Sequence, residues 1–384
     1  MTVSIYQNSP ASVSGSPFSS ASQPLAFHRR LPGYAPTSLA NAPFLADRLG
    51  VGKIWIKDET HRFGMPSFKI LGTSWALYQA LVERLGTEVE PWNDLQELVS
   101  RFAPLRPLTL VTATDGNHGR AVAHLAALFG FEAHIFVPCD MAESRINAIK
   151  QEGAMVTLVN GTYDDAVKLA ATLDGERRLV LSDTSWPGYE MIPQWVIEGY
   201  ATIFQEVDEE LARRQQRGPD LVVVQIGVGA LAAAVVRHYR HPDMSSHVKI
   251  VGIEPTRAAC VLASMKAGQI VKLTDPPQSI MAGLNCGTPS LVAWPLISTG
   301  IDLFLAIDDE WARLGMRDLA RIGLVAGETG AAGIGGLAAL RTGPSSQTVS
   351  SALGIDPSTR VLLICTEGAT DPVAYERIVG KSPT

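Results

Sequence analysis

From residue 108 the chain alternates short, uninterrupted Val/Ile/Leu runs with segments of helical period, and no other feature narrows its fold so far. LTLVTA (108–113), AHIFVP (133–138), AMVTLV (154–159) and RLVLS (178–182) read as strands. Between them, RAVAHLAALFG (120–130), a segment at about 142–152 and Tyr163 to Leu173 space their apolar residues as helices do. LVVVQI (221–226), a helix from Ala230 and KIVGIE (249–254) repeat the pattern, and RVLLIC (360–365) is a late strand. Strands apolar on both faces need cover on both. The sheets are therefore expected to be mostly parallel and helix-covered, an α/β architecture. The helical stretch 189–215 separates two such lobes, and 86–107 and 342–358 read as Pro/Ser/Gly-punctuated connections.

Charge and cysteine usage remove several classes of function. The net charge is −6 with no basic run, which argues against nucleic acid as a partner. The longest apolar stretch, Leu221 to Val236, is interrupted by Gln225 and two glycines and is too short to span a bilayer, so no membrane partner is expected. Cys139, Cys260, Cys286 and Cys365 lie far apart with no CxxC pair, and the histidines lack ligand spacing. Neither a disulfide framework nor a metal site is expected. Residues 1–24 are rich in Ser, Pro and Ala and lack Lys and Arg, which reads as a mobile tail rather than a signal peptide. A reducing, cytoplasmic setting is the expectation.

One lysine is out of place. FGMPSFKILGTSWALYQA (63–80) holds Lys69 as its single charge, and on a helix Lys69 shares its face with Gly72, Thr73, Ala76 and Ala80. It either snorkels from a helix N-terminus or is a desolvated nucleophile, whose pKa burial would lower. Parallel sheets bind ligands at the carboxyl ends of their strands, and four loops there are unusual. GVGALAAAVV (227–236) opens a helix with two glycines, as a phosphate cradle does. Gly227, Gly229 and Ala232, with Glu254 ending the next strand, also fit a dinucleotide fingerprint. TATDGNHGRA (112–121) gathers Asp115, Asn117 and His118 at one helix start, where a cap needs a single such residue. Asp183 follows a strand directly, and CTEGATDP (365–372) follows the last one. A lysine for a Schiff base, a glycine loop for a phosphate and a polar side chain for a pyridine nitrogen together suggest pyridoxal phosphate.

SFK at a helix start, DGNHGR, GVGA, GIEP, DTSWPGYEMIPQWVIEGY (183–200), IMAGLNCGTPS (280–290) and TEGATDP (366–372) together resemble diaminopropionate ammonia-lyase. The similarity runs from FHRRLPGYAPTSL (27–39) to TEGATDP. That family belongs to the two-lobed fold-type II (tryptophan-synthase-β-like) enzymes dependent on pyridoxal 5'-phosphate. The resemblance implies a homodimer acting on a small amino acid. Behind a tail over 1–24, it implies a large cofactor-binding domain over 25–100 plus 190–384 and a small α/β domain over 101–189. Lys69 would hold the cofactor as a Schiff base, and Asn117 would meet its ring hydroxyl. Gly227, Val228, Gly229, Ala230 and Leu231 would give N–H groups to its phosphate, and Asp115 and Asp183 would point at the substrate. Cys365 stands where the family usually has serine against the pyridine nitrogen, and Thr366 is the alternative partner. Thr73 replaces a usual glycine and Ser67 a usual alanine. Cys260 and Cys286 would flank the mouth of the site, where a reducing compartment favours free thiols.

Asp115 carries the substrate expectation. Related dehydratases have a neutral Ser or Thr there, helping to hold the substrate carboxylate. A carboxylate at about 4 Å would repel it by about 4 kcal/mol at an effective dielectric near 20, so its presence needs a use. Proton abstraction, or neutralising a second amine, is such a use, which fits 2,3-diaminopropionate. Lys69 is expected as the base for the L isomer and Asp115 for the D isomer, with Asp183 orienting the β-amine or relaying its proton. The alternatives are another β-eliminase or dehydratase acting on serine, threonine or a β-substituted alanine, and a nicotinamide-dependent oxidoreductase using Gly227 to Ala232. A non-enzymatic binding protein on the same fold is the third.

Overall fold

The computed structural model describes residues 1–9, 22–87, 89–241 and 248–383, which fall into two compact units. Described residues within Met1–Pro17, Pro36–His61 and Ile203–Thr384 form the first, and those within Phe18–Ala35 and Arg62–Thr202 form the second. The strands are β1 (Val3–Gln7), β2 (Leu39–Asn41), β3 (Lys53–Asp58), β4 (Thr109–Ala113), β5 (Glu132–Pro138), β6 (Met155–Val159), β7 (Arg178–Val180), β8 (Leu221–Gln225), β9 (Lys249–Pro255), β10 (Leu303–Ile307) and β11 (Arg360–Cys365).

The first unit holds a seven-stranded sheet in the order β1-β10-β9-β8-β11-β3-β2. Its five inner strands run parallel, and the edge strands β1 and β2 run antiparallel to their neighbours. Strands β8 and β11 are buried almost along their whole length, as expected for runs without a polar face. Val361, Leu363 and Cys365 lie on one face in a core shared with Ile54, Ile56, Leu337 and Ala338. The second unit holds an all-parallel sheet in the order β6-β5-β4-β7, with a core of Val111, Ala113, Phe136, Ala166, Ala170 and Val180.

The structure departs from the sequence reading in three places. The mobile tail expected over 1–24 begins with β1, because Val3 and Ile5 pack on the core and the β10 edge supplies backbone partners. The amide of Asn8 then donates to the Ser298 and Ile301 carbonyls at 2.8 and 2.9 Å. A helix begins again at Ser22, while 10–21 lie outside the described residues. Residues 25–35, 62–100 and 190–202, placed with the large domain from the sequence, group with the second unit. The helix Lys69–Leu85 packs on the helix Met191–Gly199 so closely that a Cβ at Gly72 would lie 2.6 Å from Tyr200 Cε1, and one at Gly199 2.6 Å from the Leu71 carbonyl. Finally, the connections 86–107 and 342–358 contain the helices Leu95–Arg101 and Ser346–Leu353.

Candidate active site

In the second unit β4 pairs with β7 in parallel, so the loops that follow them leave the same end of the sheet side by side. The first carries Asp115 and Asn117 and the second Asp183. The helix Lys69–Leu85 begins at the lysine itself. Phe68 precedes it with its ring 4.7 Å from that of Tyr200. One turn after Lys69, the space beside Gly72 is filled by Tyr200.

Lys69 has an acidic partner after all, and it comes from another element. Its Nζ donates to Asp183 Oδ2 at 2.5 Å. Burial works most strongly against the ammonium, but the Asp183 charge, then Tyr200 and Asp115, and the hydrogen bond to Asp183 together overcome it. The result is a lysine held well above its usual range, where burial alone was expected to lower it. For Asp183, burial favours the neutral acid. Lys69, then His118, then the hydrogen bonds from Lys69 and Tyr163 overcome it, so the carboxyl sits well below the usual range.

Asp183 is held by more than its ion pair. Tyr163, at the start of the helix Tyr163–Ala171, donates its hydroxyl to Oδ1 at 3.2 Å. The loop is tied down by Tyr189, whose hydroxyl donates to the Val180 carbonyl at 2.8 Å and accepts the Ser182 N–H at 2.9 Å. Trp186 stacks on Tyr189 with ring centroids 4.2 Å apart. His118 lies 2% exposed with Nε2 at 2.8 Å from the Leu181 carbonyl. A carbonyl can only accept, so Nε2 carries the proton. Burial, opposed by Asp183 and aided by Lys69, pulls its pKa down. In the neutral ring Nδ1 is then an acceptor, 4.0 Å from Asp183 Oδ2 and 3.4 Å from Thr73 Oγ1.

The helix Asn117–Phe129 follows the loop that carries Asp115. Its N-cap position is Gly116, at φ +144, and Thr114 Oγ1 accepts the N–H groups of Gly116 and Gly119 at 2.9 and 3.0 Å. Thr114 thus caps this turn, and Asp115 contributes negative charge to the surroundings of Lys69. Thr114, Tyr163 and Tyr189 were not singled out from the sequence. The density of polar residues in TATDGNHGRA was the only signal for the first.

In the first unit, Gly229 at φ +105 opens the helix Ala230–Tyr239. A Cβ there would lie 3.0 Å from Ile297 Cδ1, and one at Gly227 would lie 2.9 Å from the Gly283 carbonyl. Bare backbone followed by the unpaired N–H groups of a helix start suits a phosphate monoester. Gln225, the one polar residue of β8, donates to Thr366 Oγ1 at 2.8 Å and to the carbonyls of Ile364 and Thr329 at 3.0 and 3.1 Å. Cys365 sits in the core, its thiol pushed well up by burial and then by Asp58 and Glu367. It is therefore neutral.

Glu254 does not offer itself to a ribose. It is buried, and its two oxygens accept the Val261 and Leu262 N–H groups at 2.7 and 2.8 Å, at the start of the helix Cys260–Ala267. Burial pushes it up to about 8 against those two bonds. The dinucleotide reading loses its acidic residue to a helix cap. All four cysteines are free thiols. Among the described residues no group of three or more His, Cys, Asp or Glu could hold a metal, and no helix is long and apolar enough to cross a membrane.

Comparison with known proteins agrees with this chemistry. Residues 30–354 match the family described as pyridoxal-phosphate dependent enzyme. The diaminopropionate ammonia-lyase of Salmonella typhimurium is 39% identical over 368 residues, which cover 92% of this chain and 90% of that one. The crystal structure of diaminopropionate ammonia-lyase from Escherichia coli in complex with D-serine superposes with a TM-score of 0.91 at 35% identity, covering 98% of this chain and 97% of that one. The same enzyme in complex with an aminoacrylate-PLP azomethine reaction intermediate gives 0.87 at 34% identity, over the same shares.

Proposed function

The chain belongs to the pyridoxal-phosphate dependent enzymes and, among them, to the diaminopropionate ammonia-lyases, and from that premise we propose that it converts 2,3-diaminopropionate of either configuration to pyruvate and ammonia by α,β-elimination. Its fold is fold-type II, and its cofactor is pyridoxal 5'-phosphate.

The single observation that carries the substrate reading is the pair of Lys69 with Asp183. Asp183 is buried, ionised and already matched to one alkylammonium group. A substrate with a second amine offers the same kind of partner once Lys69 moves away. A serine or threonine hydroxyl would leave that buried carboxylate without a counter-charge, which is costly.

When bound, the cofactor is held covalently by Lys69, and its conjugated ring accepts charge from the substrate Cα, which makes that proton removable. The chain's own side chains do the rest. The freed Lys69 amine takes the Cα proton of the L isomer, and the Asp115 carboxylate takes that of the D isomer. Asp183 orients the β-ammonium, so that the leaving group departs as neutral ammonia. Gly227, Val228, Gly229, Ala230 and Leu231 would give N–H groups to the phosphate, and Asn117 would be the partner of the ring hydroxyl. Thr366, in preference to Cys365, would be the partner of the ring nitrogen. Its oxygen accepts from Gln225, which leaves its own proton to donate, whereas the Cys365 thiol is packed in the core. A homodimer in a reducing cytoplasm is the proposed working form, and the free thiols fit that setting.

Release of the 2-oxo acid tests the reading: pyruvate from D- and L-2,3-diaminopropionate and from serine, and 2-oxobutanoate from threonine. The two diamines should be the best substrates by kcat/KM. Equal or faster turnover of serine or threonine would make the enzyme a dehydratase.

A further inference from the structure

Two side chains donate hydrogen bonds to Asp183 among the described residues, and they differ in kind. Lys69 holds Oδ2 at 2.5 Å and Tyr163 holds Oδ1 at 3.2 Å. Lys69 has to release Oδ2 whenever its nitrogen is used elsewhere. The other groups around Asp183 are not able to replace it. His118 spends its N–H on the Leu181 carbonyl and turns a bare Nδ1 toward the carboxylate from 4.0 Å. Tyr189 is kept a neutral phenol by burial and by the charges of Asp174 and Asp183, and its hydroxyl donates to the Val180 carbonyl. Tyr200 is likewise kept neutral by burial and by Asp183, against Lys69, and its buried hydroxyl makes no hydrogen bond among the described residues.

Tyr163, by contrast, is fixed independently of Lys69. It opens a helix closed by a capping box, in which Asp165 Oδ2 accepts the Thr162 N–H at 3.0 Å and Thr162 Oγ1 accepts the Asp165 N–H at 3.3 Å. Ala166 and Ala170 of the same helix are packed in the core with Val111 and Val180. We propose that Tyr163 is a positioning residue for Asp183, its hydroxyl keeping the carboxylate oriented and charged toward the substrate's β-ammonium after Lys69 has let go. The role of the β-ammonium rests on the substrate reading above, whereas the hold of Tyr163 on Asp183 does not.

Two measurements test it separately. In the Lys69→Ala variant, which carries no Schiff base, the Asp183 carboxyl carbon is followed by NMR against pH, its signal assigned by its loss in Lys69→Ala/Asp183→Asn. Adding Tyr163→Phe should raise the titration midpoint by about one pH unit, the size of one charge-assisted hydrogen bond. In the cofactor-loaded enzyme, Tyr163→Phe alone should move the acidic limb of kcat/KM for diaminopropionate upward by a similar amount. A merely structural role would lower the plateau and leave the limb in place. NMR midpoints that coincide with and without Tyr163→Phe overturn the proposal. If the wild type fails to turn over diaminopropionate, the substrate reading falls, and the NMR comparison still decides for or against Tyr163.

Discussion

Lys69 Nζ lies 2.5 Å from Asp183 Oδ2, in a pair whose side chains are 19% and 7% exposed. Each partner keeps the other charged against the cost of burial. A paired ammonium is no nucleophile, so the amine becomes reactive only when Asp183 is turned to another cation or the proton is removed.

The pair makes a statement about pH. Asp183 is depressed in the folded protein, so its contribution is present above the ordinary carboxylate range and is lost as pH falls below it. Lys69 is raised, so its contribution is present below the ordinary lysine range and is lost at still higher pH. In cofactor-free protein, Asp183→Asn should cost roughly 3–5 kcal/mol at neutral pH, as breaking a buried pair does. Urea unfolding at several pH values should show that difference flat between about pH 5 and 9 and shrinking outside it.

Lys69 should carry the cofactor. Borohydride reduction followed by peptide mapping is expected to place the label on the Lys69 peptide, and Lys69→Ala should lose the visible Schiff-base absorption. A labelled lysine elsewhere would refute the assignment.

Asp115→Asn should fold and bind cofactor normally, because Asn keeps the shape and capping ability of Asp and Thr114 accepts the Gly116 and Gly119 N–H groups. Asn is unable to take a proton near neutral pH. Turnover of D-2,3-diaminopropionate should fall by about 10²–10⁴, the range for a lost general base, and that of the L isomer much less. Equal losses would indicate a role shared by both isomers. No loss would remove Asp115 from the chemistry.

Gly229→Asp should empty the phosphate site. It sets a carboxylate against a dianion and a side chain at φ +105, with a Cβ 3.0 Å from Ile297 Cδ1. Cofactor content by absorbance should drop to background, and the melting temperature should fall too, because the backbone is strained there. A fully yellow variant would show that this loop does not hold the phosphate.

Thr366→Val should lower kcat/KM about tenfold, the size of one good hydrogen bond, while Cys365→Ala should keep near wild-type activity and lose stability instead. The reverse ranking would place Cys365 at the ring nitrogen.

The sequence alone determined the helix-covered, mostly parallel sheets, because strands buried on both faces must be written as unbroken Val, Ile and Leu runs. It also identified the strand-end loops and Lys69, since a lone charge among small residues and glycines before a helix are local signals. Local patterns do not say which distant loops meet. The order β6-β5-β4-β7 sets β4 beside β7, and that brings Asp183 to a lysine 114 residues earlier in the chain. Tertiary packing likewise gave the space at Gly72 to Tyr200, turned Glu254 into a helix cap and ordered Val3–Gln7 along β10. In each case the deciding energy lies in a contact between residues far apart in sequence, and periodicity carries no record of it.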